Sequence, residues 1–210
     1  MTPAQLRVQE LKKLLTRYSH EYHVSDDPSV SDAVYDGLFN ELKQLEADNP
    51  ELVTSDSPTQ RVGSVLKGGF KKVRHAQRML SLNDVFSREE VEAWVKRMDK
   101  LLPGSKHEFF ADIKMDGLAC ALIYQDGLLV QAITRGDSYV GEDVTSNVRT
   151  IKNIPLRLHE PQKNDKLLIG RTEIRGEIVM LKSDFHKLNQ QQRQAGKPEF
   201  KNPRNLAAGT

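Results

Sequence analysis

Residues 112–124 read DIKMDGLACALIY, an apolar run that starts with a lysine between two aspartates. Side chains of a β-strand point alternately to its two faces, so a strand over this run would place Asp112, Lys114 and Asp116 together. Two interpretations are open at this point: a solvated sheet edge with charge pairs, or a nucleophilic lysine. Composition alone does not distinguish them.

The chain after this run predicts antiparallel strands. Asp126-Gly127 separates two β-like runs and is a strong hairpin signal, because a type I′ turn needs positive φ at both central residues. Further along, RTEIRGEIVML alternates and puts Glu173, Arg175 and Glu177 on one face. That face is either a solvated strand surface or a second set of functional charges.

The chain before it predicts helices. Apolar residues at spacings of three and four indicate one amphipathic helix to about His23 and a second one capped by Asp32 and ended by Asn49-Pro50. The two together predict an αα-hairpin. Their stripes are Val8, Leu11, Leu15, Tyr18 and Tyr22 in the first helix, and Tyr35, Leu38, Leu42 and Leu45 in the second.

A connector rich in Ser, Pro, Gly and cations follows at residues 55–75, and a domain boundary is predicted near Lys67. Its basic end, residues 67–75, either contacts phosphate groups of a polyanion or forms a solvated loop. Ser87 and Glu90 predict a capping box for a helix that runs to Leu101.

Composition narrows the class of protein. The chain is 38% hydrophobic, and 31 basic against 29 acidic residues leave a net charge of +2, which gives no global argument for nucleic-acid binding. The single cysteine, Cys120, excludes a disulfide framework and is predicted to be buried. The histidines lack paired metal-ligand spacing. No apolar run reaches membrane-spanning length, so a cytoplasmic protein is expected.

Lysine acts as a nucleophile only when it is deprotonated, whereas neighbouring carboxylates raise its pKa. Asp112 and Asp116 therefore favour organisation of a ligand or metal over direct activation of the Lys114 amine. Gly117 adds a position that a ligand can approach closely. The pattern Lys-x-Asp-Gly is weak by itself and needs independent support.

That support comes from several separated motifs. Residues 114–119, KMDGLA, resemble the adenylated-lysine motif of covalent nucleotidyltransferases, which include DNA ligases, RNA ligases and mRNA-capping enzymes. Further segments are similar, in order, to signatures of bacterial NAD-dependent DNA ligases, and the resemblance covers essentially the entire chain. These segments are YH at 22–23, DAVYD at 32–36, SPTQRVG at 57–63, MLSL at 79–82, TRGD at 134–137, GEDVT at 141–145, RGE at 175–177 and NPRN at 202–205.

The resemblance implies a reaction and a nucleotide site. Lys114 would attack the α-phosphorus of NAD, form lysyl-AMP and release NMN, with Mg²⁺ offsetting charge on the pyrophosphate. AMP would then activate the 5′-phosphate of a DNA nick. By position in the family, Asp112 faces the adenine amino group, Glu177 accepts from the ribose, Arg135 lies near the nucleotide, and Ser81-Leu82 line the adenine pocket.

The resemblance also implies a specificity module for NMN. Tyr22 and Tyr35 would hold the positively charged nicotinamide ring, and His23, Asp32 and Asp36 would supply polar contacts. Both tyrosines also extend helical apolar stripes, so taken alone they are typical of core or interface residues.

The expected fold is therefore α+β: a helical NMN-recognition subdomain at 1–67, then an adenylation domain with antiparallel sheets at 68–210 that stops short on its C-terminal side. The expected partners are NAD and, through the full-length protein, nicked duplex DNA in replication and repair. A monomer without membrane contact is expected, and the chain alone is not expected to seal nicks. The alternatives are a catalytically silent NAD- or NMN-binding fragment and an ATP-dependent nucleotidyltransferase, which needs no nicotinamide platform.

Three positions depart from the pattern of the family, and one of them is Leu206, which stands where alanine is usual. Asp112 stands where glutamate is usual, which shortens the reach to adenine by one methylene. Ser138 stands where glycine is usual, so a positive φ there would carry a steric cost.

Overall fold

The computed structural model describes residues 1–25, 27–61, 69–158 and 168–207. The chain divides into two compact units, and each combines two stretches of sequence. Unit one contains Met1–His75 and Leu118–Ile178, and unit two contains Ala76–Gly117 and Val179–Thr210. The boundary predicted at Lys67 lies outside the described residues.

Two long helices open unit one. Helix α1 spans Pro3–His20, and Thr2 caps it in a capping box with Gln5. A π-helical turn, Glu21–Ser25, extends α1. Helix α2 spans Asp32–Asp48, so Asp32 is its first residue and Ser31 is the N-cap, without a side-chain capping bond. Asp32 was therefore wrongly predicted as the cap, whereas the helical hairpin itself is confirmed.

The apolar stripes of the two helices meet in a small core. Val8, Leu11, Leu15 and Leu42 are almost completely buried there, as their spacing predicts. At the edge of this core Arg7 pairs with Glu41 through two hydrogen bonds of 2.6 and 2.8 Å. Such bidentate geometry fixes the angle between the helices better than a single contact does.

Short elements follow α2. A 3₁₀ turn at Pro50–Leu52 comes first, and a second one at Pro58–Gln60 and strand β1 at Lys72–Arg74 lie within the predicted connector. Strand β1 pairs antiparallel with β4, Val140–Glu142. The sequence did not indicate this strand within residues 67–75, because three residues are too few to show the alternation of apolar and polar side chains.

The main sheet of unit one has the order β3-β2-β5 and is antiparallel throughout. Its strands are β2, Leu118–Gln125, β3, Leu128–Thr134, and β5, Arg171–Ile178. Between β2 and β3, Asp126 and Gly127 have φ values of 49° and 75°, which confirms the predicted hairpin turn. A short helix α4, Thr145–Val148, follows β4.

A second core lies against this sheet. It contains Cys120, as predicted, with Tyr124, Leu129, Val144 and Val148. The Tyr124 hydroxyl donates to the carbonyl of Pro155 at 2.8 Å, and burial raises the pKa of Tyr124 to about 12. A buried phenol hydroxyl needs a hydrogen-bond partner. This bond therefore holds the loop that contains Pro155 against the sheet.

Arg61 joins the helical segment of unit one to its sheet segment. Its guanidinium donates to the carbonyls of Arg149, Ile151 and Ile154 at 3.3, 2.9 and 2.9 Å. Nearby, Arg157 pairs with Asp56 at 2.7 Å. One planar cation thus satisfies three carbonyls in a loop that is remote in sequence.

Unit two contains helix α3, Arg88–Leu101, helix α5, Lys182–Gln194, and helix α6, Pro203–Ala207. Ser87 caps α3 by accepting from Glu90 N at 3.2 Å, which confirms half of the predicted capping box. The Glu90 carboxylate accepts from Phe86 N rather than from Ser87 N, so the reciprocal half was wrongly predicted. The side-chain amide of Asn189 bonds Phe200 in both directions, at 2.8 and 3.1 Å. Among the described residues, no helix is long and apolar enough to cross a bilayer.

Candidate functional site

The residues singled out in the sequence fall into two groups, one in each unit. Unit one carries Tyr22, His23, Asp32, Tyr35, Asp36, Arg135 and Glu177. Unit two carries Ser81, Leu82, Asp112 and Lys114.

The register of the main sheet brings Arg135 and Glu177 onto one face. Glu177 on β5 lies directly opposite Ala119 on β2. On the other side of β2, Cys120 pairs with Thr134, so Ala119 lies opposite Arg135, whose N–H donates to the Ala119 carbonyl at 2.9 Å. Residues directly opposite in an antiparallel sheet share a face. The three residues therefore form a row, which we call the Arg135–Ala119–Glu177 row.

The middle of this row is small. Two strand spacings separate its ends by about 10 Å, and the Ala119 methyl group between them fills little of that width. A cation and a carboxylate thus stand on either side of a methyl group in the register of the sheet. That arrangement suits a ligand with an anionic group at one side and a hydroxyl at the other.

A constrained turn holds Arg135 at the end of the row. Gly136 has a φ of 54°, and a Cβ there would lie 1.9 Å from the Val140 carbonyl oxygen. Asp137 Oδ1 accepts from Tyr139 N at 2.9 Å and Val140 N at 2.7 Å. These two amide bonds lower the pKa of Asp137. Ser138 has a φ of 81°, so the positive φ expected there is confirmed.

The other charges of β5 pair with one another. Glu173 accepts from Arg171 and from Arg175, each at 2.8 Å. Partial burial opposes ionisation, but these two hydrogen bonds outweigh it and lower the pKa of Glu173. The charges around Glu173 therefore form an ion-pair network. This supports the interpretation that this part of β5 is a solvated strand surface.

The N-terminal turn of α2 presents a second group of predicted residues. Asp32, Tyr35 and Asp36 stand at spacings of three and four, which places them on one helix face. Tyr35 is half-buried, its ring stacks on Phe39 at 6.4 Å, and burial raises the pKa of its phenol. Tyr22 lies in the π-helical turn and is 51% exposed. The side chain of His23 lies outside the described part of the structure.

Lys114 lies in an exposed segment before β2. Strand β2 begins at Leu118, so Asp112, Lys114 and Asp116 do not share a strand face, contrary to the prediction. The strand starts there because Leu118 is the first residue with a partner, Ile178 on β5. The Asp112 carboxylate accepts from Ile113 N at 2.7 Å.

Asp116 has a partner that the sequence did not indicate. Arg204 on α6 lies 3.4 Å from its carboxylate, and both side chains are exposed. An exposed pair of this kind contributes little stability, about 0–1 kcal/mol. The contact nevertheless joins the NPRN motif to the lysine motif within unit two. Ser81 and Leu82, also in unit two, are exposed as well.

Sequence reasoning missed Ala119 and the role of Arg204. Ala119 belongs to the KMDGLA motif, but a small residue has no chemistry of its own to attract notice. Only the strand register shows that it separates Arg135 from Glu177. Arg204 was part of a quoted motif, yet no local pattern links positions 116 and 204.

The described residues offer limited means of binding a metal ion. Within residues 1–25, 27–61, 69–158 and 168–207, no three His, Cys, Asp or Glu side chains gather as metal ligands would. Mg²⁺ commonly uses only one or two carboxylates and takes its other ligands from water and substrate phosphates. The carboxylates beside Lys114 fit that mode of binding.

Comparison with known proteins covers almost the whole chain. Residues 67–210 match the family model of the NAD-dependent DNA ligase adenylation domain, and residues 1–63 match that of the DNA ligase-like N-terminal NAD⁺-binding domain. The chain is 50% identical over 204 residues to a DNA ligase of Thermomicrobium roseum, covering 97% of this chain and 29% of that protein. It is 50% identical over 219 residues to one of Neisseria gonorrhoeae, covering 100% of this chain and 26% of that protein. The chain thus spans under a third of the length of these curated relatives.

Proposed function

Because the chain belongs to the family of NAD-dependent DNA ligases, we propose that it carries the adenylation step, in which NAD transfers AMP to Lys114. The observation that supports this best is the Arg135–Ala119–Glu177 row, whose middle residue, Ala119, is the last residue of the KMDGLA motif. The row offers a cation for phosphate and a carboxylate for a ribose hydroxyl. Both groups are present in NAD.

Lys114 supplies the nucleophile. Its Nζ attacks the α-phosphorus, an N–P bond forms, and the P–O bond to NMN breaks. The ammonium group loses one proton to solvent before the attack and a second as the N–P bond forms, so the product is a phosphoramidate and NMN leaves with the electron pair of the broken P–O bond. Exposure of the lysine motif leaves this amine accessible to the nucleotide.

The other residues bind the adenylate half. Glu177 accepts from the ribose and Arg135 balances phosphate charge, in keeping with their place on one sheet face. Asp112 accepts from the adenine amino group, and Ser81 and Leu82 line the adenine pocket. Mg²⁺, when bound, would offset negative charge on the pyrophosphate, and Asp116 would be its carboxylate contact.

The helical segment recognises the nicotinamide half. Tyr22 and Tyr35 offer aromatic faces to the cationic ring, while His23, Asp32 and Asp36 supply polar contacts. The exposure of Tyr22 and the common helix face of Asp32, Tyr35 and Asp36 support this role. An enzyme that used ATP would have no nicotinamide for these groups to hold.

The proposal extends to the whole protein. Residues 1–67 act as the NMN-recognition subdomain and residues 68–210 belong to the adenylation domain. AMP passes from Lys114 to the 5′-phosphate of a nicked duplex, and the 3′-hydroxyl then displaces AMP to form the phosphodiester. The full-length protein acts on nicked DNA as a monomer in replication and repair, whereas the 210-residue chain alone does not seal nicks.

Intact-mass measurement of the 210-residue chain after incubation with NAD and Mg²⁺ tests the adenylation step. An increase by one AMP is expected for the wild type and for Lys106→Ala, which removes another exposed lysine of unit two. Lys114→Ala should give no increase. An AMP adduct on Lys114→Ala would refute the assignment of the nucleophile. Stabilisation by NAD without any adduct on the wild type would favour a silent NAD-binding role.

A further inference from the structure

His75 links the end of strand β1 to the turn that carries Arg135. The residue is buried, and its Nε2 lies 3.0 Å from the Thr134 carbonyl and 3.2 Å from the Arg135 carbonyl. Its backbone N–H donates to the Tyr139 carbonyl at 2.9 Å. One residue therefore contacts both ends of the turn at 135–139.

The chemistry of these contacts determines where the imidazole proton lies. Carbonyl oxygens only accept hydrogen bonds, so Nε2 must be the donor to Thr134 and Arg135. In the neutral ring this requires the Nε2–H tautomer. His75 thus supplies a shared donor to two consecutive carbonyls where the chain leaves β3 and enters the turn.

The remaining constraints on the turn are internal or come from neighbouring strands. Asp137 bonds the amides of Tyr139 and Val140, and Arg135 N bonds Ala119. The Arg135 carbonyl also accepts from Ser138 N inside the turn at 3.0 Å; within the described residues, His75 is the side chain from outside the turn that bonds it. A peptide group is planar, so holding this carbonyl limits rotation of the backbone next to the Arg135 side chain.

We propose that His75 is a positioning residue for Arg135: its Nε2–H holds the Thr134 and Arg135 carbonyls so that the guanidinium stays in the Arg135–Ala119–Glu177 row. The inference rests on the proposed function, because it takes Arg135 as a contact of the nucleotide. A buried histidine that only fills space would stabilise the fold without acting through Arg135. Positioning and space-filling therefore predict different results.

A double-mutant cycle separates these roles. His75→Ala should slow NAD-dependent adduct formation on the order of tenfold, the size expected when one buried hydrogen-bond donor is lost. In an Arg135→Ala background the same change should cause almost no further slowing, because the group that it positions is already gone. His75→Gln, whose amide keeps a donor, should recover part of the rate. Full additivity of His75→Ala and Arg135→Ala would overturn the proposal.

A matched control addresses general destabilisation. Val73→Ala weakens the same strand at the residue opposite Gly141, without touching the Arg135 carbonyl. It should lower the melting temperature yet leave the adduct rate, measured well below that temperature, within about twofold of the wild type. A loss of rate equal to that of His75→Ala would assign the effect to strand β1 as a whole and would refute positioning by His75.

A measurement without NAD tests the positioning even if the proposed function fails. In His75→Ala, amide hydrogen exchange at residues 135–140 should become faster relative to the rest of the sheet, and His75→Gln should reverse this. The nitrogen resonances of His75 in the wild type should show the Nε2–H tautomer. Unchanged exchange, or the Nδ1–H tautomer, would overturn the inference. Absence of an adduct on the wild type would instead refute the proposed adenylation step.

Discussion

Arg61 and the exposed Arg157 both join the helical segment of unit one to its sheet segment. Removal of the Arg61 guanidinium should destabilise the chain more than removal of the Arg157 guanidinium. Arg61 donates to three carbonyls in the loop at 149–154, two of them at 2.9 Å. Hydrogen bonds from a charged donor contribute about 1.5–3 kcal/mol each and are not additive, so Arg61→Ala should cost about 3–5 kcal/mol. That loss corresponds to a fall in melting temperature of roughly 10 °C.

Thermal and urea unfolding of the 210-residue chain, followed by circular dichroism, measure this effect. Arg157→Ala is the matched control, because Arg157 pairs with Asp56 across the same contact but is 54% exposed. It should cost less than about 1 kcal/mol. Arg61→Lys should fall between the two, since one ammonium group lacks the planar fork that meets three carbonyls.

One outcome would refute the reasoning. If Arg61→Ala were no more destabilising than Arg157→Ala, the three carbonyls would be satisfied equally well by water. The guanidinium would then not hold the helical segment to the sheet segment of unit one.

Three further predictions concern ligands and pH. NAD should raise the melting temperature more than ATP does, and Asp36→Ala should reduce that difference; equal stabilisation by the two nucleotides in the wild type would contradict the nicotinamide-binding role. Asp112→Glu should tighten binding of the adenylate in calorimetry, because the longer side chain restores the reach to the adenine amino group; unchanged affinity would contradict that geometry. Glu173 has a pKa below its ordinary value of 4.5, so its ion pairs stabilise the fold above that pH and are lost as the pH falls through the lower folded-state pKa. Glu173→Gln should therefore flatten the decline of urea-unfolding stability below pH 4.5, and identical pH profiles would show that the pairing contributes nothing.

Several elements were predictable because their signals are local. The spacing of Val8, Leu11 and Leu15 is enough to specify the buried face of α1. Ser87 caps α3, and Asp126-Gly127 forms the hairpin turn, since both depend on the backbone preferences of a few adjacent residues. The ordered motifs likewise indicated the family, which the two family models confirm.

Other predictions failed where a distant partner decides the outcome. The strand was expected to include Asp112, but it starts at Leu118 because its pairing with β5 starts there. The cap of α2 is a different case, because the prediction of Asp32 was wrong by one residue: Ser31, its neighbour and also a common capping residue, occupies the position. Lys72–Arg74, two cations around a valine, form a strand only because Val140–Glu142 lies beside them.

The sequence by itself determined the helices of the hairpin, the tight turn, the burial of Cys120 and the family, because propensity, apolar period and motif order are properties of neighbouring residues. Tertiary structure alone decided which charges meet. Alternation assigns a residue to a face of its own strand, but the partner strand sets the register, and a slip of one residue would reverse the face. The Arg135–Ala119–Glu177 row, the three carbonyls at Arg61 and the pairing of Asp116 with Arg204 each join positions far apart in the chain, and no local pattern encodes such contacts.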